Sequence, residues 1–307
     1  MKAVVLGAAA GGGFPQWNSN ADACRRARAG DAKAMSRTQA SLAVSGDGVR
    51  WFLINASPDL RQQVEARSFL HPRHGLRSSP IEGVLLTGAD VDAIAGLLHL
   101  RERQAFTIYG TGRVLDVLKA NPIFGVLSEE CVRRQAVPLE KLFELRHVDG
   151  TPSGIEAELF DVPGKVALYL ETGGSPDALA GKPGDTVGVE LRANGRRLLY
   201  VPGCARMTAR LKQRLAGASV VLFDGTLWQD DEMIRLGLGP KTGRRMGHMS
   251  VSGPDGTIAA FRDVTVGRKI LVHINNSNPI LLDDSAERSL VEKEGWEVAC
   301  DGMEVSP

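Results

Sequence analysis

Residues 84–97, VLLTGADVDAIAGL, join an apolar run to a polar turn and a second apolar segment. The first three residues predict a buried strand, and from Ile94 onward apolar residues return at helical spacing. Two acids, Asp90 and Asp92, therefore lie in the turn between the strand and the helix. The stretch predicts a strand–turn–helix unit with two carboxylates at the end of a buried strand, a place where sheet proteins often carry functional groups.

Two interpretations of these acids stay open at this point. Oxygen ligands suit a hard or single metal ion, so Asp90 and Asp92 are candidate ligands. Aspartate is also a common helix N-cap, so either side chain could simply accept hydrogen bonds from the first helical N–H groups. A site for two zinc ions needs about three imidazoles around each ion, and the turn contains none. The sequence therefore disfavours a two-zinc hydrolase.

Composition indicates an ordinary globular chain with many turns. A chain of 307 residues, 43% of them hydrophobic, is long enough for a large core, and its 35 glycines indicate many turns. The net charge of +1 gives no electrostatic attraction to nucleic acid or to an anionic membrane. No apolar run approaches the ~20 residues that span a bilayer, and the N-terminus lacks a convincing signal-peptide cleavage site. We therefore expect a cytoplasmic protein with no membrane span and no nucleic-acid partner.

The cysteines give no sign of a disulfide framework or of a compact thiolate site. They are far apart and form no C-x-x-C pair: Cys24, Cys131, Cys204 and Cys300. In a reducing compartment we expect all four to be free thiols.

Glycine-containing turns divide the chain into short strands. Gly46-Asp47-Gly48 and Asn194-Gly195 are strong hairpin signals, each lying between two apolar, β-branched segments. A strand-rich segment followed by helices occurs twice, which predicts an α/β fold: an αββα sandwich of two mixed β-sheets with helices on the outer faces. The predicted strands include residues 37–45, 49–55, 156–162, 165–171, 186–192, 197–201, 220–223 and 269–274.

Motifs spread over nearly the whole chain resemble those of a known family. In order, they include LGAAAGGGFPQWN, NASPDLRQQ, VPGCARM, LFDGTLWQDDEM, RMGHMSVSG and HINNSNPIL. They are similar to the metallo-β-lactamase-like family that acts in the biosynthesis of pyrroloquinoline quinone (PQQ). The resemblance implies a metallo-β-lactamase-like sandwich that forms one domain over residues 1–307.

The central turn also resembles the superfamily pattern T-H-x-H-x-D-H-x-x-G-L, but most of its histidines are missing. Four positions match: Thr87, Asp92, Gly96 and Leu97. Three histidine positions hold other residues: Gly88, Asp90 and Ala93. The alignment therefore favours a single metal ion held by few imidazoles.

The resemblance assigns further candidate metal ligands. His273, at the end of a predicted strand, is similar to the terminal histidine ligand of the fold. Cys204 occupies the place of a frequent carboxylate ligand; it is either a thiolate ligand or a buried small thiol, and both interpretations stay open. The predicted metal set is Asp90, Asp92, Cys204 and His273.

Asp224 and His248 resemble a different pair, one found in tRNA 3′-processing endonucleases of the superfamily. There an acid after a buried strand orients a histidine that shuttles a proton. Such an acid fixes the imidazole tautomer and raises its basicity, as general acid–base catalysis requires. The alternative is that His248 only satisfies loop backbone groups. The other four histidines have no such context and are expected to be structural or exposed: His71, His74, His99 and His147.

For activity, the resemblance implies iron(II)-dependent hydroxylation of the tyrosine ring of a small-molecule or short-peptide intermediate made from glutamate and tyrosine. Zinc is the alternative metal, and the partners would be other PQQ biosynthesis proteins, with a homodimer left open. A second hypothesis is a carrier that moves PQQ or its precursor toward the periplasm, with Arg37, Arg61 or Arg101 binding its carboxylates. The third, a metal-dependent hydrolase, follows from the fold alone.

Overall fold

The structure, a computed structural model, describes residues 1–171 and 181–307, and its strands form two mixed β-sheets. The first sheet has six strands in sequence order. Antiparallel pairing joins the first three strands, and parallel pairing joins the others. Its strands are β1 (Lys2–Gly7), β2 (Ser41–Ser45), β3 (Trp51–Ile54), β4 (Ile81–Leu85), β5 (Phe106–Gly110) and β6 (Val132–Ala136).

The second sheet has seven strands in the order β13-β12-β11-β10-β9-β8-β7. Strands β7 to β10 are antiparallel, whereas β10 to β13 are parallel. Its strands are β7 (Leu142–Arg146), β8 (Pro152–Asp161), β9 (Val187–Ala193), β10 (Arg196–Val201), β11 (Val220–Asp224), β12 (Arg268–Val272) and β13 (Trp296–Val298). The parallel half matters for function, because the carboxyl ends of neighbouring parallel strands meet at one edge.

Helices cover the outer faces of the sheets. They are α1 (Asp22–Arg28), α2 (Leu60–Glu65), α3 (Val91–Ile94), α4 (Gly112–Ala120), α5 (Ala209–Leu215), α6 (Glu232–Arg235), α7 (Thr257–Ala260) and α8 (Ala286–Lys293). Helix α4 shows how local sequence sets an element: Thr111 accepts the Val114 N–H as an N-cap, and Val114 and Leu118 are buried one turn apart. Within 1–171 and 181–307, no helix has the length and apolarity needed to cross a bilayer.

Three apolar layers hold this arrangement together. The middle layer lies between the sheets and includes Leu42 of β2 and Leu198 of β10. One outer layer packs Leu60 of α2 against the first sheet, and the other packs Leu211 of α5 and Val291 of α8 against the second. Full burial of each such leucine contributes roughly 2 kcal/mol. The layers confirm the predicted αββα sandwich.

Both predicted hairpins are confirmed, with Leu42 opposite Ile54 in the first and Leu198 opposite Leu191 in the second. The four cysteines are free thiols, as expected.

The prediction of a strand at 165–171 is wrong, since this segment contains a 3₁₀ turn, Leu168–Leu170. The Tyr169 hydroxyl donates to the Ala89 carbonyl, 2.7 Å away, and the Leu168 N–H donates to Asp90 Oδ1 at 3.3 Å. These bonds tie Leu168–Leu170 to the turn after β4, so this part of the segment packs there as a turn.

Candidate metal centre

Residues from both sheets meet around a cavity of about 140 Å³. Asp90 and Asp92 reach it from the turn that follows β4 in the first sheet, and His273 reaches it from the end of β12 in the second. His248 comes from the loop before α7, and Lys165 also lines the cavity. The structure therefore brings together three of the four predicted metal ligands and one member of the predicted catalytic pair.

The closest contact between these ligands joins Asp92 Oδ2 and His273 Nε2, which are 2.7 Å apart. Burial alone would raise the Asp92 pKa, but the hydrogen bond and charge of His273 lower it below its ordinary value. Burial likewise opposes a charge on His273, yet Asp92 raises the His273 pKa. The two groups therefore form an ion pair. Because metal–ligand bonds are about 2.1 Å long, the same two atoms are also close enough to share one cation.

Asp224 is fully buried and accepts four hydrogen bonds. Its Oδ2 accepts the Cys204 N–H at 2.8 Å and lies 2.7 Å from His248 Nδ1. Its Oδ1 accepts the N–H of Thr226 at 3.0 Å and the hydroxyl of Thr226 at 2.6 Å. A carboxylate so fully engaged is an orienting group. Because a carboxylate accepts hydrogen bonds, His248 carries its hydrogen on Nδ1. Its Nε2 atom is then free to act at the cavity.

Thr226 orients a second imidazole, that of His273. Its Oγ1 lies 2.9 Å from His273 Nδ1 and 3.0 Å from His248 Nδ1. Since the hydroxyl hydrogen is given to Asp224 in the shortest contact, Oγ1 accepts the Nδ1–H of His273. Asp224 thus fixes the tautomer of His248 directly and that of His273 through Thr226. Sequence reasoning missed Thr226, although it stands in the LFDGT motif two residues after the acid.

The backbone of His273 is unusual in a way that fits a site residue. Its φ of 55° lies in the left-handed region, which residues other than glycine rarely adopt. The ring of His273 stacks on that of His248 with 5.0 Å between centroids, and its two nitrogens contact Thr226 and Asp92. The surroundings therefore fix the ring of this histidine.

Asp90 is the N-cap residue of α3, yet its side chain makes no capping hydrogen bond. Its Oδ1 lies 3.8 Å from Lys165 Nζ. Burial and then the charge of Asp92 raise the Asp90 pKa. The capping interpretation from the sequence therefore does not describe this side chain, which faces the cavity.

Cys204 is placed differently from the other candidate ligands. The cavity wall contains Gly203 but not Cys204, whose thiol donates to the Arg206 carbonyl 3.2 Å away. Burial and the negative charge of Asp224 raise the pKa of this thiol far above its usual range. A neutral, hydrogen-bonded thiol favours the interpretation as a small core residue.

The remaining candidates lie away from the cavity. Arg37 is buried and donates to backbone carbonyls, including that of Ala299, while Arg61 and Arg101 are exposed and do not line the cavity. His147 is buried beside the ring of Phe52. The other histidines outside the site are half-buried or exposed: His71, His74 and His99.

Comparison with known proteins identifies the family. A model described as the beta-lactamase superfamily domain matches residues 50–274. "Coenzyme PQQ synthesis protein B" of Gluconacetobacter diazotrophicus is 60% identical over 99% of this chain and 98% of its own. The protein of the same name from Methylorubrum populi is 52% identical over 99% of both chains. This chain belongs to the coenzyme PQQ synthesis protein B family.

A solved structure agrees with this assignment to the PQQ synthesis protein B family. The crystal structure of Zn²⁺-bound PqqB from Methylobacterium extorquens aligns with this chain over 100% of both chains, with 50% identity and a TM-score of 0.94. More distant structures share only the fold. A diphosphatase of the PhnP family has 17% identity and a TM-score of 0.68, and human tRNase Z has 14% identity and a TM-score of 0.58.

The donor atoms of this chain fit a single cation. Asp224, His248 and His273 each offer an atom within 4.8 Å of the other two. However, Asp224 already accepts four hydrogen bonds, so the pair of donors that remains for an ion is Asp92 Oδ2 and His273 Nε2, which are 2.7 Å apart. Mixed carboxylate and imidazole donors suit iron(II) or zinc.

Proposed function

We propose that this chain is an iron(II)-dependent hydroxylase of PQQ biosynthesis that acts on the tyrosine ring of an intermediate made from glutamate and tyrosine. Family membership supports the role in PQQ biosynthesis. The proposal includes a cytoplasmic location and other PQQ biosynthesis proteins as partners. The observation that carries it is the 2.7 Å approach of Asp92 Oδ2 to His273 Nε2 at the wall of a cavity.

Asp92 and His273 would hold the metal, and Asp90 or His248 could complete its ligand set. Iron(II), when bound, would supply the oxygen-activating redox chemistry for which histidine–carboxylate sites with open positions are suited. Hydroxylation converts one ring C–H to C–OH and consumes O₂, two electrons and two protons, and the second oxygen atom leaves as water. The reaction therefore also needs a two-electron reductant.

His248 and Asp224 would manage the protons. Because Asp224 holds the Nδ1–H of His248, the Nε2 atom is free to take up or release a proton at the cavity.

The test is reconstitution with iron(II) under anaerobic conditions, followed by metal analysis and exposure to O₂ with ascorbate and the dipeptide Glu-Tyr. We expect one iron per chain and a product heavier by one oxygen atom. Asp92→Ala and His273→Ala should lose both, whereas His99→Ala, an exposed histidine outside the cavity, should keep both. Iron binding and oxygenation that survive in both site variants would overturn the assignment. A zinc-loaded protein that oxygenates nothing is the matched negative control.

The carrier hypothesis is supported by the small number of histidines at the site. A metal centre that has lost histidine ligands could hold an acidic quinone without reacting with it. Its test is titration of the metal-loaded protein with PQQ. Stoichiometric binding without any oxygenation of Glu-Tyr would favour the carrier, while oxygenation would favour the enzyme.

A further inference from the structure

Three cations from two segments of the chain surround one carboxylate beside the metal cavity. Lys241 Nζ lies 3.0 Å from Glu171 Oε2, and Arg245 Nη2 lies 3.5 Å from the same oxygen. Lys165 Nζ lies 3.4 Å from the other oxygen, Oε1. We call Lys165, Lys241 and Arg245 the cationic cluster.

The cationic cluster carries more charge than its neighbours neutralise. Among the described residues, Asp90 is the only other acid within 4.0 Å of any of these three cations, at 3.8 Å from Lys165. Moreover, Arg245 Nη1 and Glu171 Oε1 are both buried and have no hydrogen-bond partner in the described part of the chain, so the hydrogen bonding of the cluster is incomplete. Bringing three like charges together is costly, and an unpaired buried donor adds to this cost. Both features indicate that an anion completes the cluster.

The position of the cluster identifies which anion it would meet. Lys165 is part of the cavity wall, and Gly247, two residues after Arg245, is part of the same wall. The side chain of Lys165 also packs against Gly247, where an added Cβ would lie 3.2 Å from its Cγ. The cluster is therefore continuous with the cavity, and a ligand held at the metal could reach it.

We propose that the cationic cluster binds a carboxylate of the substrate and so holds the aromatic ring at the metal. This inference rests on the proposed function and adds a recognition site to it. Lysine and arginine are the side chains best suited to bind carboxylates. Asp90 lines the cavity 3.8 Å from Lys165, so it repels a second carboxylate and favours the orientation in which the ring, not the acid, approaches Asp92 and His273.

Such a contact does not involve the reacting carbon and acts through positioning. Binding energy gained at the carboxylate fixes the ring in a reactive orientation, so it benefits the chemical step as well as affinity. A dicarboxylate should therefore bind better than the same molecule with one carboxylate replaced by an amide.

The experiment measures binding calorimetrically without O₂, using iron(II)-loaded full-length protein and three dipeptides: Glu-Tyr, Gln-Tyr and Glu-Tyr amide. In the natural protein, removal of one of the two carboxylates should weaken binding about tenfold, the usual effect of losing a charged hydrogen bond. Lys241→Met/Arg245→Met should abolish this discrimination. The control Lys212→Met/Arg210→Met removes the same residue types elsewhere on the molecule and should retain it.

The result that overturns the proposal is equal discrimination in the cluster variant and in the natural protein. Lys165→Met provides a second variant if the double variant is unfolded by circular dichroism, and it should also abolish the discrimination. Failure of the proposed function has a different signature: the carboxylate discrimination would persist while O₂ and ascorbate yield no hydroxylated peptide.

Discussion

His273 Nε2 lies 2.7 Å from Asp92 Oδ2, although 181 residues separate the two in sequence. Asp92 follows β4 of the first sheet, and His273 follows β12 of the second. Their contact therefore depends on the docking of the two sheets. The contact should also make the stability of the metal-free protein depend on pH.

Asp92→Asn should reduce the stability of the metal-free protein in a pH-dependent way. The lowered Asp92 pKa gives stability that is present above the ordinary value near 3.8 and is lost as pH falls through the folded value. The raised His273 pKa gives stability that is present below the ordinary 6.5 and is lost as pH rises through the folded value. The pair should therefore stabilise most between pH 4 and 6.5.

Urea denaturation of both proteins with a chelator present tests this. We expect a difference in the free energy of unfolding of about 2 kcal/mol at pH 5.5, typical of a charged hydrogen bond, and a smaller one at pH 9. A difference that does not change with pH would contradict the ion pair.

Thr226→Val should weaken metal binding without destroying the fold. Valine has a similar shape but cannot connect Asp224 to His273 Nδ1, so the His273 tautomer is no longer fixed. Loss of a group that orients a ligand typically costs roughly tenfold to hundredfold in metal affinity. Competition with a chromogenic chelator measures this affinity, and ¹⁵N NMR of the imidazoles reports the tautomer. Thr226→Ser, which keeps the hydroxyl, should restore both.

Cys204→Ala should leave the iron content unchanged, because the neutral thiol faces the Arg206 carbonyl rather than the cavity. The expected cost is about 1 kcal/mol in the free energy of unfolding, as for many single substitutions. Metal analysis of the variant decides the question. Loss of iron would restore Cys204 to the set of candidate ligands.

Ala93→His should strengthen metal binding, since Ala93 lines the cavity at one of the positions where the superfamily pattern has histidine. Zinc should benefit most, because it favours imidazole ligands. Comparison of iron and zinc affinities for the variant and the natural protein measures the effect. Unchanged affinities for both ions would show that the metal lies out of reach of residue 93.

Local sequence patterns were sufficient for the central turn, the hairpins and the sandwich, because apolar alternation and glycine turns act over a few residues. The polar strand β6 was missed, since its VRRQA sequence is stabilised by parallel pairing with β5 rather than by its own pattern. The same limit explains why segment 165–171 was misassigned: its apolar residues after a Pro-Gly turn predict a strand, but the segment is bonded to the turn at Asp90.

For the candidate site, the family resemblance pointed to Asp92, His248 and His273, which the structure brings together at the cavity. Thr226 and Lys165 could not be predicted in this way. Their importance depends on which side chains approach them from distant parts of the chain, and neither residue type signals chemistry on its own. Cys204 is the opposite case: it aligns with a ligand position but does not line the cavity, because alignment does not reveal where a side chain points.

The division of the donor atoms between two sheets has a consequence for how the protein assembles. A chain with only one sheet formed holds just half of the ion's ligands and binds it weakly. A bound metal would therefore stabilise the contact between the two sheets, because an ion bound only by the native state raises the free energy of unfolding. Chelation would then loosen the contact between the sheets first, so resistance to proteolysis would report how much of the protein is loaded.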